Sequence, residues 1–407
     1  MIRRSLSKLA KGSTRRFTGD PVDGCTANPV ALQMIDYALS LARSVKSDES
    51  YAQGMLVLEQ CLNSSSSIDD SDAACANNSK GMVLLAMSDL LFDRENYGDA
   101  MDKLHQISQL TNASFGVRVA ATEALVGINL QIGDDDASSM VAGDFLELVE
   151  NAKEEGLEKV LARAISVKGF VELARGNKES AKTIFEKMEK EGTFALSYGE
   201  FLHVTNNLEG ANEVYQKILE ELRSTKKCTT TNSLSACNMQ RSETLVAAAC
   251  ALGQLESHLG DFDSAEKTLT LALQEAEQSF GLRHPKIGVV LTCLALMFRR
   301  KGISGNSSSL VMQEGLYRRA TELLKIPAKE PGGAVTEWQR RGLKEISAIV
   351  RGGYSQVVGL DRNRKTEAET MKKWAEITWN NAFHVLDSTK MAVIDSRICR
   401  PLSFQSP

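Results

Sequence analysis

The sequence predicts an all-α fold, an α-solenoid of about seven antiparallel helix pairs followed by a C-terminal helical cap. Two observations carry this. Gly253, Gly260, Phe262, Ala265, Leu269 and Ala272 are spaced so that each falls where two antiparallel helices must touch. The same register recurs upstream, where Gly169 to Gly199 and Ala181 to Ala211 share one 30-residue interval. Seven prolines in 407 residues and 43% apolar content suit long helices with enough buried side chains to pack them. Stacked repeats form one body in which each unit contacts mainly its neighbours, so length alone does not argue for several globular domains.

In chain order, residues 1–17 stand apart. They carry Arg3, Arg4, Lys8, Lys11, Arg15 and Arg16 with no acidic residue before Asp20, and Ile2, Leu6 and Leu9 share one helical face. This composition predicts a mitochondrial presequence, cut after Phe17 in the context Arg15-Arg16-Phe17-Thr18. Residues 18–28 read as a linker. Residues 29–62 read as a weak helix pair, opened by Asn28 as N-cap and Pro29 at the first helical position. The Ser-rich stretch 64–79 reads as a low-complexity loop. Residues 81–110 make a pair with Tyr97 as wedge and Ala100, Leu104 and Ile107 behind it. Residues 115–150 make another around Gly133, with Asp134 to Asp136 in the turn.

The strongest copies follow. Residues 162–191 carry Gly169 at the helix contact, Gly176 at the turn, then Ala181, Phe185 and Met188. The next pair uses Tyr198 and Gly199, then Leu208, Ala211, Tyr215 and Ile218. A polar Thr/Ser/Asn-rich loop, residues 224–241, separates it from the copy around Gly253. A glycine inside a helix costs roughly 1 kcal/mol relative to alanine, which is tolerable where the bare backbone admits a close neighbour. For Gly253 that neighbour is expected to be Ala265. Gly281, His284 and Pro285 then form a corner, and Leu294, Ala295, Phe298, Gly302, Tyr317 and Ala320 continue the pattern to residue 325. Within 326–407, a helix ends at Arg351, Gly352 to Arg364 read as a loop, and a last helix runs from Thr366 to about Leu386 with Met371, Trp374, Ala375 and Thr378 on its inner stripe.

The Leu-Gly contact pair, the Gly-Asp-Phe turn and the small and aromatic positions of the second helix resemble the tetratricopeptide repeat, a 34-residue helix pair. The Gly281-Leu282-Arg283-His284-Pro285 corner is similar to the kinesin-light-chain variety, and the whole resembles plant mitochondrial proteins of this repeat class. The resemblance implies a right-handed superhelix over residues 29–325. Gly169, Ala181, Gly199, Ala211, Gly253, Ala265, His284 and Pro285 fall at its structural positions, while Lys168 departs from the expected leucine. It also implies a concave face lined by the first helix of each pair, where peptides or helices of other proteins dock. In register, that face takes Arg163, Ser166, Val167 and Phe170, then Thr193, Leu196, Ser197 and Glu200, then Ala247, Cys250, Ala251 and Gln254. His203, His258, Arg299 and, beyond the repeats, Trp379 complete the partner-binding candidates. Arg163 alone resembles the cation set that grips a chaperone's acidic tail, so an apolar helix or extended segment is the expected guest.

Charge and motif content narrow the function. The chain carries 48 Lys plus Arg against 52 Asp plus Glu. Losing residues 1–17 removes six cations and leaves a net charge of −10, a field that disfavours nucleic acid. No run of about 18 apolar residues suggests a membrane span. Eight cysteines without C-x-x-C spacing read as reduced thiols, with Cys228 and Cys237 sharing one loop. Cys250 and Cys293 read as small core residues. The five histidines lie far apart in sequence, and no phosphate loop, HExxH or Ser-His-Asp pattern occurs. The expectation is a non-enzymatic scaffold or assembly factor of the mitochondrial matrix, without cofactor or metal. Its partners are other proteins, with chaperone or metallocluster biogenesis machinery suggested by compartment alone. The alternative is an organellar RNA-binding helical repeat, since residues 181–192 resemble the second helix of pentatricopeptide units.

Overall fold

In a computed structural model the described residues are 27–45, 47–64, 73–94, 96–110, 112–152, 157–189, 194–224, 233–234, 241–305, 310–326 and 341–379. The expected presequence, its cut after Phe17, most of the linker, Cys228, Cys237, Trp338 and the tail beyond Trp379 lie outside them. The described chain is helical, apart from a two-residue parallel pairing of Phe194–Ala195 (β1) with Ser233–Leu234 (β2). Contacts divide it into two units, the boundary falling after Ala121.

The first unit holds α1 (Pro29–Val45), α2 (Asp48–Ser64), α3 (Ala73–Asp93), α4 (Tyr97–Ser108) and the start of α5 (Phe115–Ile132). Asn28 caps α1, its Oδ1 accepting from the Val30 amide at 2.8 Å. Ala31, Ile35, Ala38 and Ala42 form the buried stripe of α1, and Ala27, just before its cap, is buried too. Gly54 of α2 meets it closely: a Cβ there would lie 2.8 Å from the Ala38 carbonyl oxygen. In α4, Tyr97, Ala100, Leu104 and Ile107 are all buried, as their spacing requires.

The expected loop 64–79 is corrected here, because α3 already begins at Ala73. Asn78 and Ser79 are each only 2% exposed, and their polarity serves neighbouring helix starts. Asn78 Oδ1 accepts from the Ser114 amide at 2.6 Å, just before α5, and Ser79 Oγ accepts from the Asn28 amide at 2.9 Å, just before α1. Helix starts leave amides without intrahelical acceptors, and these side chains supply them from another helix. Deeper in α3, Asp89 is buried and binds Arg43 of α1 at 2.5 Å, while Asp93 holds the same guanidinium at 3.0 Å.

The second unit continues with α6 (Asp135–Glu150), α7 (Glu158–Ala174), α8 (Lys178–Glu189), α9 (Leu196–Val204), α10 (Leu208–Ser224), α11 (Arg241–Leu259), α12 (Phe262–Phe280), α13 (Pro285–Ile303), α14 (Leu310–Leu323), α15 (Arg341–Val358) and α16 (Lys365–Thr378). Consecutive helices pack as pairs: α7 on α8, α9 on α10, α11 on α12, α13 on α14 and α15 on α16. The first helices also touch in series, α7 with α9, α9 with α11, α11 with α13 and α13 with α15. One apolar cluster runs through the unit from Ile165 to Trp374.

Three pairs share one interlock. A Cβ on Gly169 would lie 2.6 Å from the Phe185 ring, on Gly199 2.5 Å from the Tyr215 ring, and on Gly253 2.6 Å from Leu269 Cγ. Each glycine faces the residue sixteen positions on. Gly253 therefore accommodates Leu269, and the expectation that it faces Ala265 is corrected. The physical reason is size: the bare backbone makes room for a large side chain, while Ala265, itself fully buried, needs no such opening. The corner after α12 is built as its residues suggest. Gly281 takes φ +83°, Pro285 opens α13, and His284 Nδ1 accepts from the Lys286 amide at 3.2 Å.

Two further expectations change in the last elements. Gly352 to Val358 belong to α15 and are not a loop. Gly353 lies under the Tyr317 ring of α14, with no space for a Cβ, and Tyr354, Val357 and Val358 are buried. The glycines that read as breakers are thus helix-contact positions. The final helix ends at Thr378, where Trp379 turns extended at ψ 124°, while Trp374 and Ala375 are buried against α15.

Candidate partner-binding face

The face expected to receive a guest is made by the first helices α7, α9, α11 and α13. Its aligned side chains mostly point at one another. Arg163 of α7 forms a two-point ion pair with Glu123 of α5, Nε to Oε1 at 2.8 Å and a second contact at 2.5 Å, and the Glu123 side chain is fully buried. Ser166 of α7 lies 3.0 Å from Ser197 of α9, both fully buried. His203 of α9 and His258 of α11 join ring to ring, Nε2 to Nδ1 at 2.8 Å, so one nitrogen donates and the other accepts. Cys250 of α11 is hydrogen-bonded to Cys293 of α13. The contacts of α7 with α9 and of α9 with α11 therefore each carry a polar side-chain pair inside an apolar surround. Such bonds are stronger in a low-dielectric interior and fix the register of the helices they join.

The remaining candidates sort by burial. Phe170 is a fully buried core residue, Glu200 is buried, and Gln254 is buried with its amide donating to the Cys250 carbonyl at 3.2 Å. Val167, Leu196, Ala247 and Ala251 are likewise buried, and Thr193 lies outside the described residues. Arg163, His258, Arg299 and Trp379 are half-buried and retain some accessible surface, although Trp379 packs against the core. At the structural positions, Gly169, Gly199 and Gly253 make the interlocks, and Ala181, Ala211 and Ala265 are fully buried.

Electrostatics act structurally around these helices. Lys168 occupies the place where leucine was expected, and its ammonium donates to the Ser139 carbonyl at 2.8 Å and to Ser139 Oγ at 2.9 Å. Ser139 in turn donates to Glu172 at 2.6 Å, and Asn177 donates to the other carboxylate oxygen at 2.8 Å. Burial pushes Glu172 up, but the bonds from Ser139, Asn177 and Lys168 outweigh it and hold the carboxyl at about 2. The hydrogen bond to Cys293, together with burial, pushes the Cys250 thiol well above its ordinary range, which makes it a poor nucleophile. Burial also raises the Tyr215 phenol, and the nearby Glu200 charge raises it further.

Sequence reasoning placed His203 and His258 on this face but did not bring them together. They are 55 positions apart, with the 224–241 insertion between them, and no local spacing signals their bond. Among the described residues no group of three or more His, Cys, Asp or Glu is arranged to hold a metal ion. No described helix is long and apolar enough to cross a membrane. No protein-family model matches the chain, and no curated protein sequence matches it.

Proposed function

We propose that this protein is a non-enzymatic scaffold or assembly factor of the tetratricopeptide type, acting in mitochondria, probing partner proteins with the first-helix face of its repeats. The observation that carries this reading is the sixteen-residue interlock repeated in α7/α8, α9/α10 and α11/α12, together with first helices that touch in series. Helix pairs stacked in this way make a superhelical face whose outline is set by buried contacts and whose specificity lies in the residues at its rim. Arg163, His258, Arg299 and Trp379 are the candidates that keep surface for such a role. The buried set of Ser166, Phe170, Glu200, His203 and Gln254 then shapes and rigidifies the face. Localisation to mitochondria rests on the composition of residues 1–17.

Affinity purification of the tagged chain from mitochondria tests this reading, comparing wild type with a His258→Ala, Arg299→Ala double variant. Near-stoichiometric proteins recovered with wild type, resistant to ribonuclease and depleted at least about fivefold with the variant, are expected. Recovery of RNA whose binding falls steeply with salt would instead establish the RNA-binding alternative.

A further inference from the structure

His203 of α9 and His258 of α11 stand 55 positions apart, yet the fold sets His203 Nε2 2.8 Å from His258 Nδ1, with the ring planes at 74°. As neutral rings they hold this contact with a single proton, donated by one nitrogen and accepted by the other. A neutral imidazole nitrogen is also the commonest metal ligand, and the tautomer that carries its proton on the far nitrogen bares the near one. Two zinc–nitrogen bonds of about 2.0–2.1 Å, meeting at about 90–110°, put their nitrogens about 2.9–3.4 Å apart. The two rings therefore need only swing off their shared axis and part slightly to hold one ion between them.

The surroundings favour a cation at this point. Glu200 lies one turn before His203 on α9 and is buried, and its negative charge is felt at Tyr215 of α10. Tyr215 Oη is buried and makes no hydrogen bond among the described residues, and its ring stands edge-on to His203 with centroids 6.2 Å apart. A buried hydroxyl without a partner costs stability, and water carried on a metal ion at the pair would offer it one. His258 is half-buried, so the pair is reached from solvent.

We infer that His203 and His258 form a two-imidazole site for a divalent transition-metal ion of the zinc class, bound through His203 Nε2 and His258 Nδ1. The other coordination positions fall to water, because no group of three or more His, Cys, Asp or Glu among the described residues is arranged to hold an ion. Closed structural zinc sites use four protein ligands, so an open pair of this kind binds exchangeably. Glu200 and Tyr215 act from the outer shell, as a compensating charge and a hydrogen-bonding group. The inference is independent of the partner-binding reading, since it needs only α9, α10 and α11.

Zinc chloride titrated into the full chain carrying nitrogen-15-labelled histidine, read by NMR, tests it. At one equivalent the His203 Nε2 and His258 Nδ1 resonances should shift together while those of the exposed His105 stay in place. Affinity should fall at least about tenfold in His258→Asn and be unchanged in His105→Asn. Because an ion bound only by the folded chain raises its melting temperature, zinc should raise Tm in wild type and not in His258→Asn, even where that variant starts from a lower Tm. His203 and His258 resonances unmoved at saturating zinc would show a purely structural hydrogen bond. Equal losses in His258→Asn and His105→Asn would show adventitious binding, and either result overturns the inference.

Discussion

The pair α11/α12 and the pair α3/α4 are the same kind of object held together by different means. In α11/α12 the contact is apolar and geometric, with Gly253 open to Leu269 and Ala265, Ala272 and Ala276 closing the seam. In α3/α4 the first helix instead buries Asn78, Ser79, Ser88 and Asp89, spending polar groups on neighbouring helix starts and on Arg43. The first design tolerates little change in shape, and the second little change in chemistry. That contrast predicts which substitutions each region refuses.

The largest effect is expected where shape is fixed. Gly199→Val places atoms against the Tyr215 ring, which is fully buried and cannot retreat, and should cost about 3 kcal/mol in urea unfolding. A loss below about 1 kcal/mol would mean that the seam repacks freely. Next comes the half-polar seam between α6 and α7. The Glu172 carboxyl is lowered to about 2 from an ordinary value of 4.5, so its contribution is fully present above pH 4.5 and is lost as pH falls towards 2. The loss should approach about 2 kcal/mol. Stability measured from pH 6 to pH 2.5 should therefore fall less steeply in Glu172→Gln, which is already weakened at neutral pH; parallel curves would refute the assignment.

Chemistry governs the next prediction. Asn78→Leu keeps the branched outline but removes the acceptor for the Ser114 amide, and should cost about 1 to 2 kcal/mol, with faster amide exchange at the start of α5. The smallest effect has the opposite sign. Gly315 in α14 has open space where a Cβ would go, so Gly315→Ala should stabilise by about 0.5 to 1 kcal/mol through helix propensity alone. A matching gain at Gly253 would erase the distinction between contact glycines and incidental ones.

The parts legible in the sequence are those whose signal is local. The contact glycines Gly169, Gly199 and Gly253, the Asn28-Pro29 start, the Gly133 turn and the His284-Pro285 corner each lie within one helix pair or one turn. What escaped needs partners from elsewhere. Asn78 and Ser79 look like loop residues until Ser114 and Asn28 arrive beside them, and Gly352-Gly353 looks like a break until Tyr317 covers it. The bonds between first helices were invisible for the same reason, since Ser166 with Ser197 and His203 with His258 are joined only once α7, α9 and α11 lie side by side. Repeat register could suggest these residues for the face, but not that most of them are buried in building it.

The central claim is that contact glycines exist to admit a large side chain from the second helix of the same pair. A double-mutant cycle on Gly253→Ala and Leu269→Ala, read by chemical denaturation, addresses it directly. The added methyl clashes only while Leu269 is present, so the double variant should be more stable than the sum of the single losses by about 1 to 2 kcal/mol. Additivity within about 0.5 kcal/mol would show that the two residues do not share the space, and would contradict the account.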